Sequence, residues 1–206
     1  MSDTPDLLSI RLHLVTGEIA SFLAEDVSAV QTVLDSVRRG RVFSTQSLVI
    51  ADEIHVNTFP GSSLIRVDLV SNPLPLDMEG HDVGEGEPAH ASEITQEQWL
   101  SETAAMRTTY GDRQSMLRSD GERINVYGRV TLMGGTHIYL QFDLAMPNAS
   151  EQRRFLHNLY STPGLAFRNS EGGISMLNTA HIVRSTFYPG AEPPLGAWYM
   201  RERQAL

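Results

Sequence analysis

The stretch HIVRSTFYPG, His181 to Gly190, set beside EIHVNTFPG, Glu53 to Gly61, decides how this chain is read. Ile54 matches Ile182, Thr58 matches Thr186 and Phe59 matches Phe187. Pro60-Gly61 matches Pro189-Gly190 once Tyr188 is counted as an extra residue. At the same offset, Leu48 and Val49 fall opposite Met176 and Leu177. Both stretches have the composition of a strand followed by a turn. Their pairing implies that the chain contains one unit twice. It also bears on the histidine at the head of the second stretch. His181 falls opposite Glu53, and His55 stands elsewhere in the unit, so the two histidines do not form a duplicated ligand pair.

The match widens outward from these stretches. SAVQTVLDSVRRG, Ser28 to Gly40, places Val30, Val33, Leu34 and Val37 on one helix face, with arginines in the last turn and glycine as a stop. SEQRRFLHNLYSTPG, Ser150 to Gly164, repeats the plan with Ser150 as N-cap and Phe155, Leu156 and Leu159 as the apolar stripe. Two strand-like runs precede each helix. SIRLHLV and EIASFLA meet at Thr16-Gly17, and NVYGRVTLM and THIYLQFDLAM meet at Gly134-Gly135, a hairpin signal. Each half therefore reads as a hairpin, a helix and two or three further strands.

The expected organisation is a first β-rich repeat over 1–70, an acidic Pro/Gly-rich linker over 71–93, a connecting helix and loop over 94–120, a second repeat over 121–190 and an aromatic tail over 191–206. Thr95 and Gln98 form a capping box for the connecting helix, which carries Trp99 and Met106 near one face. The fold class is α+β: two tandem antiparallel β modules, barrel-like or half-barrel, each with one helix.

Composition excludes several chemistries. The chain of 206 residues has no cysteine, which removes thiol nucleophiles, thiolate zinc, iron–sulfur clusters and disulfides. It has no lysine either, since all 16 basic residues are arginine. Schiff-base chemistry, a P-loop lysine and Ser-Lys catalysis are thereby excluded. Arginine in place of lysine fits a GC-rich bacterial genome. Net charge is -9, concentrated in Ser71 to Met106, which holds eight acids and no base. Such a chain is a poor general nucleic-acid binder. No apolar run approaches a membrane span, and MSDTPDLL lacks the basic and apolar regions of a signal peptide, so the expected location is the cytoplasm.

Catalytic motifs are missing. No H-E-x-x-H and no paired ligand spacing occurs among the seven histidines, and no G-x-S-x-G elbow is present. A serine, histidine and aspartate brought together from distant positions remain a third class of reading, an enzyme. Gly84-Glu85-Gly86 is acidic on both sides and reads as linker; Gly172-Gly173 reads as a hairpin turn. FRNSEGGIS, Phe167 to Ser175, is similar in part to the polar loop of PilZ-type cyclic-dinucleotide receptors, although Arg153-Arg154 stand adjacent and not four apart.

LMGGTHIYLQFDLAMPN, Leu132 to Asn148, resembles the first motif of Sm-like small β-barrels through Phe142, Asp143, Met146 and Asn148. The resemblance covers under a tenth of the chain. It implies small-barrel architecture. It does not imply RNA binding, because the family's later R-G signature is missing, and the helix here follows the second strand instead of preceding the first.

Two groups of residues remain as candidate sites. Trp198, Tyr199 and Met200 in the tail, with Trp99, are residue types favoured at protein interfaces and form the candidate partner-binding set. Arg38, Arg39, Arg41, Arg153 and Arg154 form the candidate set for an anionic ligand. The leading expectation is a non-enzymatic protein-binding or assembly module that acts through protein–protein contacts, self-association among them, with no cofactor and no metal. The alternative is a small-ligand or nucleotide-binding regulator that uses the arginines.

Overall fold

The computed structural model describes residues 8–24, 33, 37, 40–44, 47–51, 54–70, 90–110, 123–145, 157 and 159–189. Alternating residues make the first hairpin, β1 (Leu8–Leu14) and β2 (Ile19–Ala24). A short helix, α1 (Arg41–Ser44), leads to β3 (Leu48–Ala51), β4 (Val56–Phe59) and β5 (Leu64–Val70), with a 3-10 turn at Gly61–Ser63 before β5. Then come β6 (His90–Ile94), α2 (Gln96–Tyr110) and a second hairpin of β7 (Arg123–Leu132) and β8 (His137–Ala145). The chain closes with β9 (Gly164–Arg168), β10 (Ile174–Asn178), a 3-10 turn at Thr179–His181 and β11 (Ile182–Tyr188).

Strands predominate over helices, in keeping with the α+β class. Nine strands join one sheet in the order β11-β7-β8-β6-β9-β10-β5-β1-β2, and β3 and β4 pair separately. Among the described residues every strand pairing is antiparallel except the single parallel link of β6 to β9.

The sheet separates two cores. Leu8, Ile10, Leu12, Val67, Leu69 and Met176 belong to one, with Val37 and Val42 from the helical residues. Val126, Val130, Leu140, Phe142, Leu165, Phe167 and Leu177 belong to the other. Because side chains alternate along a strand, Met176 enters the first core and its neighbour Leu177 the second. Strands β9 and β10 are therefore a wall shared by both cores, which is why β10 is buried along nearly its whole length.

The capping box at α2 forms as the spacing requires. Thr95 N donates to Gln98 Oε1 at 2.9 Å and Gln98 N donates to Thr95 Oγ1 at 3.1 Å. Among the described side chains of this helix, Trp99, Thr103 and Met106 are the covered ones, at i, i+4 and i+7.

The same sequence of elements occurs on both sides of α2: hairpin, helical residues, two strands, 3-10 turn, strand. The backbone bonds recur with it. Leu14 N donates to Glu18 O, and Leu132 N to Thr136 O. Val15 N donates to Ser63 O at 2.9 Å, and Met133 N to His181 O at 3.0 Å. One constant offset relates all these residues. In that frame the counterpart of β11 is β5, with Leu64 standing for Ile182, and not the stretch Glu53 to Gly61. The residue matching that begins at Ile54 and Ile182 is thus corrected. Strand-plus-turn composition made those two stretches alike, whereas register is set by pairing with the hairpin.

One boundary changes as well. His90 to Glu93, assigned to the linker on charge and composition, are in β6, near the middle of the sheet. The rest of the linker, most of both expected helices and the tail lie outside the described residues.

Candidate functional site

One polar cluster interrupts the apolar sheet. Arg11 and His13 project from one face of β1, and Arg66 and Asp68 from the same face of β5, because Arg11 pairs with Asp68 and His13 with Arg66. Ser175 of β10 lies opposite Asp68. Asp68 is 4% exposed and Ser175 fully buried. Asp68 Oδ1 accepts from Arg66 Nε and from Ser175 Oγ, each at 2.5 Å, and Oδ2 accepts from His13 Nε2 at 2.7 Å. Arg66 continues across the sheet. Its two terminal nitrogens grip Glu93 of β6 at 2.9 Å each, and its guanidinium lies 5.2 Å from the Phe167 ring centre.

The hairpin turn between β9 and β10 is tied into the same cluster. Asn169 Oδ1 accepts from Glu171 N and Gly173 N, and Asn169 Nδ2 donates to Ser175 Oγ. Glu171 forms a two-pronged pair with Arg11. The loop Phe167 to Ser175 is therefore a hairpin closed by its own asparagine, as Gly172-Gly173 suggests.

This cluster contains histidine, aspartate and serine, but in an order that does not activate the serine. In a nucleophilic triad the histidine stands between the other two and takes the serine proton. Here Asp68 stands between, the Ser175 hydroxyl donates its hydrogen bond to the carboxylate, and Ser175 has no exposed surface. What the arrangement does is join elements that are far apart in the chain. Asp68 to Ser175, Arg66 to Glu93 and Arg11 to Glu171 each connect residues before the acidic segment to residues at or beyond its end.

The electrostatics give a pH dependence. Burial alone would raise the Asp68 carboxyl, but the His13 hydrogen bond, the Arg66 charge and the Ser175 and Arg66 bonds outweigh it and lower its pKa from 3.8 to about 2. The folded form thus favours the ionised carboxylate. Its stabilisation is present above the unfolded value and is lost as pH falls from about 4 towards 2. The expected loss from this group is roughly 2 kcal/mol. Urea melts at pH 7, 4 and 2.5 measure it; in Asp68→Asn this acid component should vanish.

His181 is a structural residue. It is 9% exposed, its Nε2 donates to Ser62 O at 2.8 Å, and its Nδ1 lies 3.2 Å from Met133 Sδ. That bond brings the 3-10 turn before β11 against the one before β5. Close by, Asn178 Nδ2 donates to Leu64 O at 2.8 Å.

Of the candidate residues from the sequence, Trp99 and Arg41 fall among the described residues. Trp99 is half-buried, with its ring 5.7 Å from that of Tyr139 and the Arg129 guanidinium 5.7 Å from its centroid. It packs on β7 and β8 of its own chain. Arg41 opens α1 and is exposed. Arg38, Arg39, Arg153, Arg154, Trp198, Tyr199 and Met200 lie outside the described residues.

Another surface went unnoticed in the sequence. Strand β2 has β1 as its one neighbour among the described residues, and Ile19 and Leu23 on it are 54% and 63% exposed. The β3–β4 hairpin pairs only with itself among the described residues and exposes Val49 and Val56. Strands β8, β9 and β10, which follow β7 in the chain, are each paired on both sides. Strand β8 is flanked by β7 and β6, and β9 and β10 are flanked by β6 and β5. The signal available in the sequence was the run Ile19-Ala20-Ser21-Phe22-Leu23-Ala24, which has no charge. Edge strands ordinarily carry charges or proline to block further pairing.

Comparison with protein-family profiles, curated proteins and solved structures finds no match to this chain. Among the described residues no helix is long and apolar enough to cross a membrane, and no group of three or more His, Asp or Glu is placed to hold a metal ion.

Proposed function

We propose that this chain is a non-enzymatic assembly module, acting through protein–protein contacts and built from two copies of one antiparallel β unit. The observation that carries the reading is the contrast between the halves. Strands β8, β9 and β10 are paired on both sides, whereas β2, β3 and β4 occupy the same places in the first half with one described neighbour each and apolar side chains turned to solvent. Isolated exposed apolar residues are ordinary, but a whole uncharged strand edge beside an exposed apolar hairpin marks an interaction surface. The polar cluster supports the reading, since its serine and carboxylates are consumed in joining the two halves. The small-barrel resemblance and a bacterial cytoplasmic setting belong with this proposal.

The test is retention of partner protein by the immobilised full chain. Val49→Lys with Val56→Lys changes exposed residues only, so folding should persist and retention should fall at least about tenfold, the size of one disrupted apolar contact. Equal retention by wild type and variant would remove the hairpin from the interaction surface.

A further inference from the structure

We infer that β2 pairs with β2 of a second copy of this chain, antiparallel about a two-fold axis through Ser21. The inference rests on the assembly reading and names its partner.

The backbone decides which groups are available. Leu14 N donates to Glu18 O, and the register pairs Leu12 with Ala20, Ile10 with Phe22 and Leu8 with Ala24. Alternate residues of a strand direct both N–H and C=O to opposite sides. Ala20, Phe22 and Ala24 therefore bond to β1, and Ile19, Ser21 and Leu23 direct theirs outward. In the second half the equivalent outward residues are Tyr139 and Gln141 of β8. These pair with Ile94 and Ser92 of β6 in antiparallel register. The molecule thus displays what occupies this kind of edge: an antiparallel strand. Among the described residues no strand lies against the other edge of β2.

The side chains say that the occupant is another β2. Pairing about Ser21 sets Ser21 opposite Ser21 of the second copy and Ile19 opposite its Leu23, twice over. On the other face it sets Ala20 opposite Phe22, next to the core that holds Phe22 against Phe59 at 5.8 Å. The sequence Ile-Ala-Ser-Phe-Leu is symmetric in character about its centre, apolar–small–apolar on one face and apolar on the other. That is the self-complementarity a two-fold interface requires. All three outward residues then form hydrogen-bonded pairs at once, and no two like charges are opposed, since Glu18 falls opposite Ala24. The copies each carry -9, so added salt should tighten the pair by screening their repulsion.

The chain has no cysteine, so a single introduced thiol reports one position. Opposite residues of a hydrogen-bonded pair lie about 5.5 Å apart at Cα, within disulfide reach. Ser21→Cys in the full chain is expected to form a disulfide-linked dimer under mild oxidation, at least about tenfold faster than Thr16→Cys in the adjacent exposed turn, owing to raised effective concentration. Ile19→Cys mixed with Leu23→Cys should cross-link as a heterodimer. In sedimentation equilibrium the wild type should reach twice 22.8 kDa, and Leu23→Lys should return it to the monomer with an unchanged circular dichroism spectrum. Equal cross-linking of Ser21→Cys and Thr16→Cys would overturn the inference. So would a dimer that survives Leu23→Lys but is lost in Val56→Lys, which would leave the assembly reading standing on the hairpin. A monomer at every concentration also overturns it, and partner retention then decides the assembly reading separately.

Discussion

Replacing Arg66 with methionine is expected to lower stability by about 3–5 kcal/mol, the cost of breaking a buried ion pair from one side. The substitution keeps much of the aliphatic bulk and removes the charge. It would leave Asp68 with His13 and Ser175 as its donors among the described residues and would take both Arg66 bonds from Glu93. It would also remove the cation that lies over Phe167. Urea unfolding with an unchanged slope measures the loss. Because the Arg66 charge helps hold the Asp68 carboxyl near 2, the acid transition should move to higher pH in the same variant. A loss under about 1 kcal/mol would mean that the cluster behaves as a solvent-screened surface pair.

Gly40→Ala is expected to cost about 3 kcal/mol, from two sources that a control separates. Gly40 has φ +67°, where any side chain is strained by roughly 1–2 kcal/mol. A Cβ there would also stand 2.5 Å from Gly164 N and 2.7 Å from Gly164 Cα, and overpacking of this kind costs about 1–3 kcal/mol. Backbone meets backbone at this point, so neither side can yield by changing a rotamer. Gly135→Ala is the control. Its φ is +86° and nothing lies within 4 Å of the added carbon, so only the backbone strain should appear. Equal losses in the two variants would show that the Gly40–Gly164 approach has no energetic consequence.

Local features were legible because local physics decides them. The Gly134-Gly135 and Thr16-Gly17 turns, the capping box at Thr95 and Gln98 and the alternation of Arg11-Leu12-His13-Leu14 all involve residues within a few positions of one another. Strand β6 was not legible. Glu93 in a central strand is acceptable only because Arg66, far away in the chain, meets it with both nitrogens. The polar cluster was hidden for the same reason, although Arg11/His13 and Arg66/Asp68 at i and i+2 marked one face of each strand. His181 heads a strand-like stretch in the sequence, and its hydrogen bond to Ser62, far away in the chain, is visible only in the fold.

The sequence by itself determined which chemistries have no residues to perform them, the predominance of strands, and the hairpins. Those follow from composition and from short-range preferences. Only the tertiary structure decided which strands pair, the sharing of β9 and β10 between two cores, and the difference between β8, flanked on both sides, and β2, which has one described neighbour. These depend on pairings between strands distant in sequence. A short strand carries no record of its neighbour, and among the described residues β2 and β8 differ in pairing because β6 lies against β8.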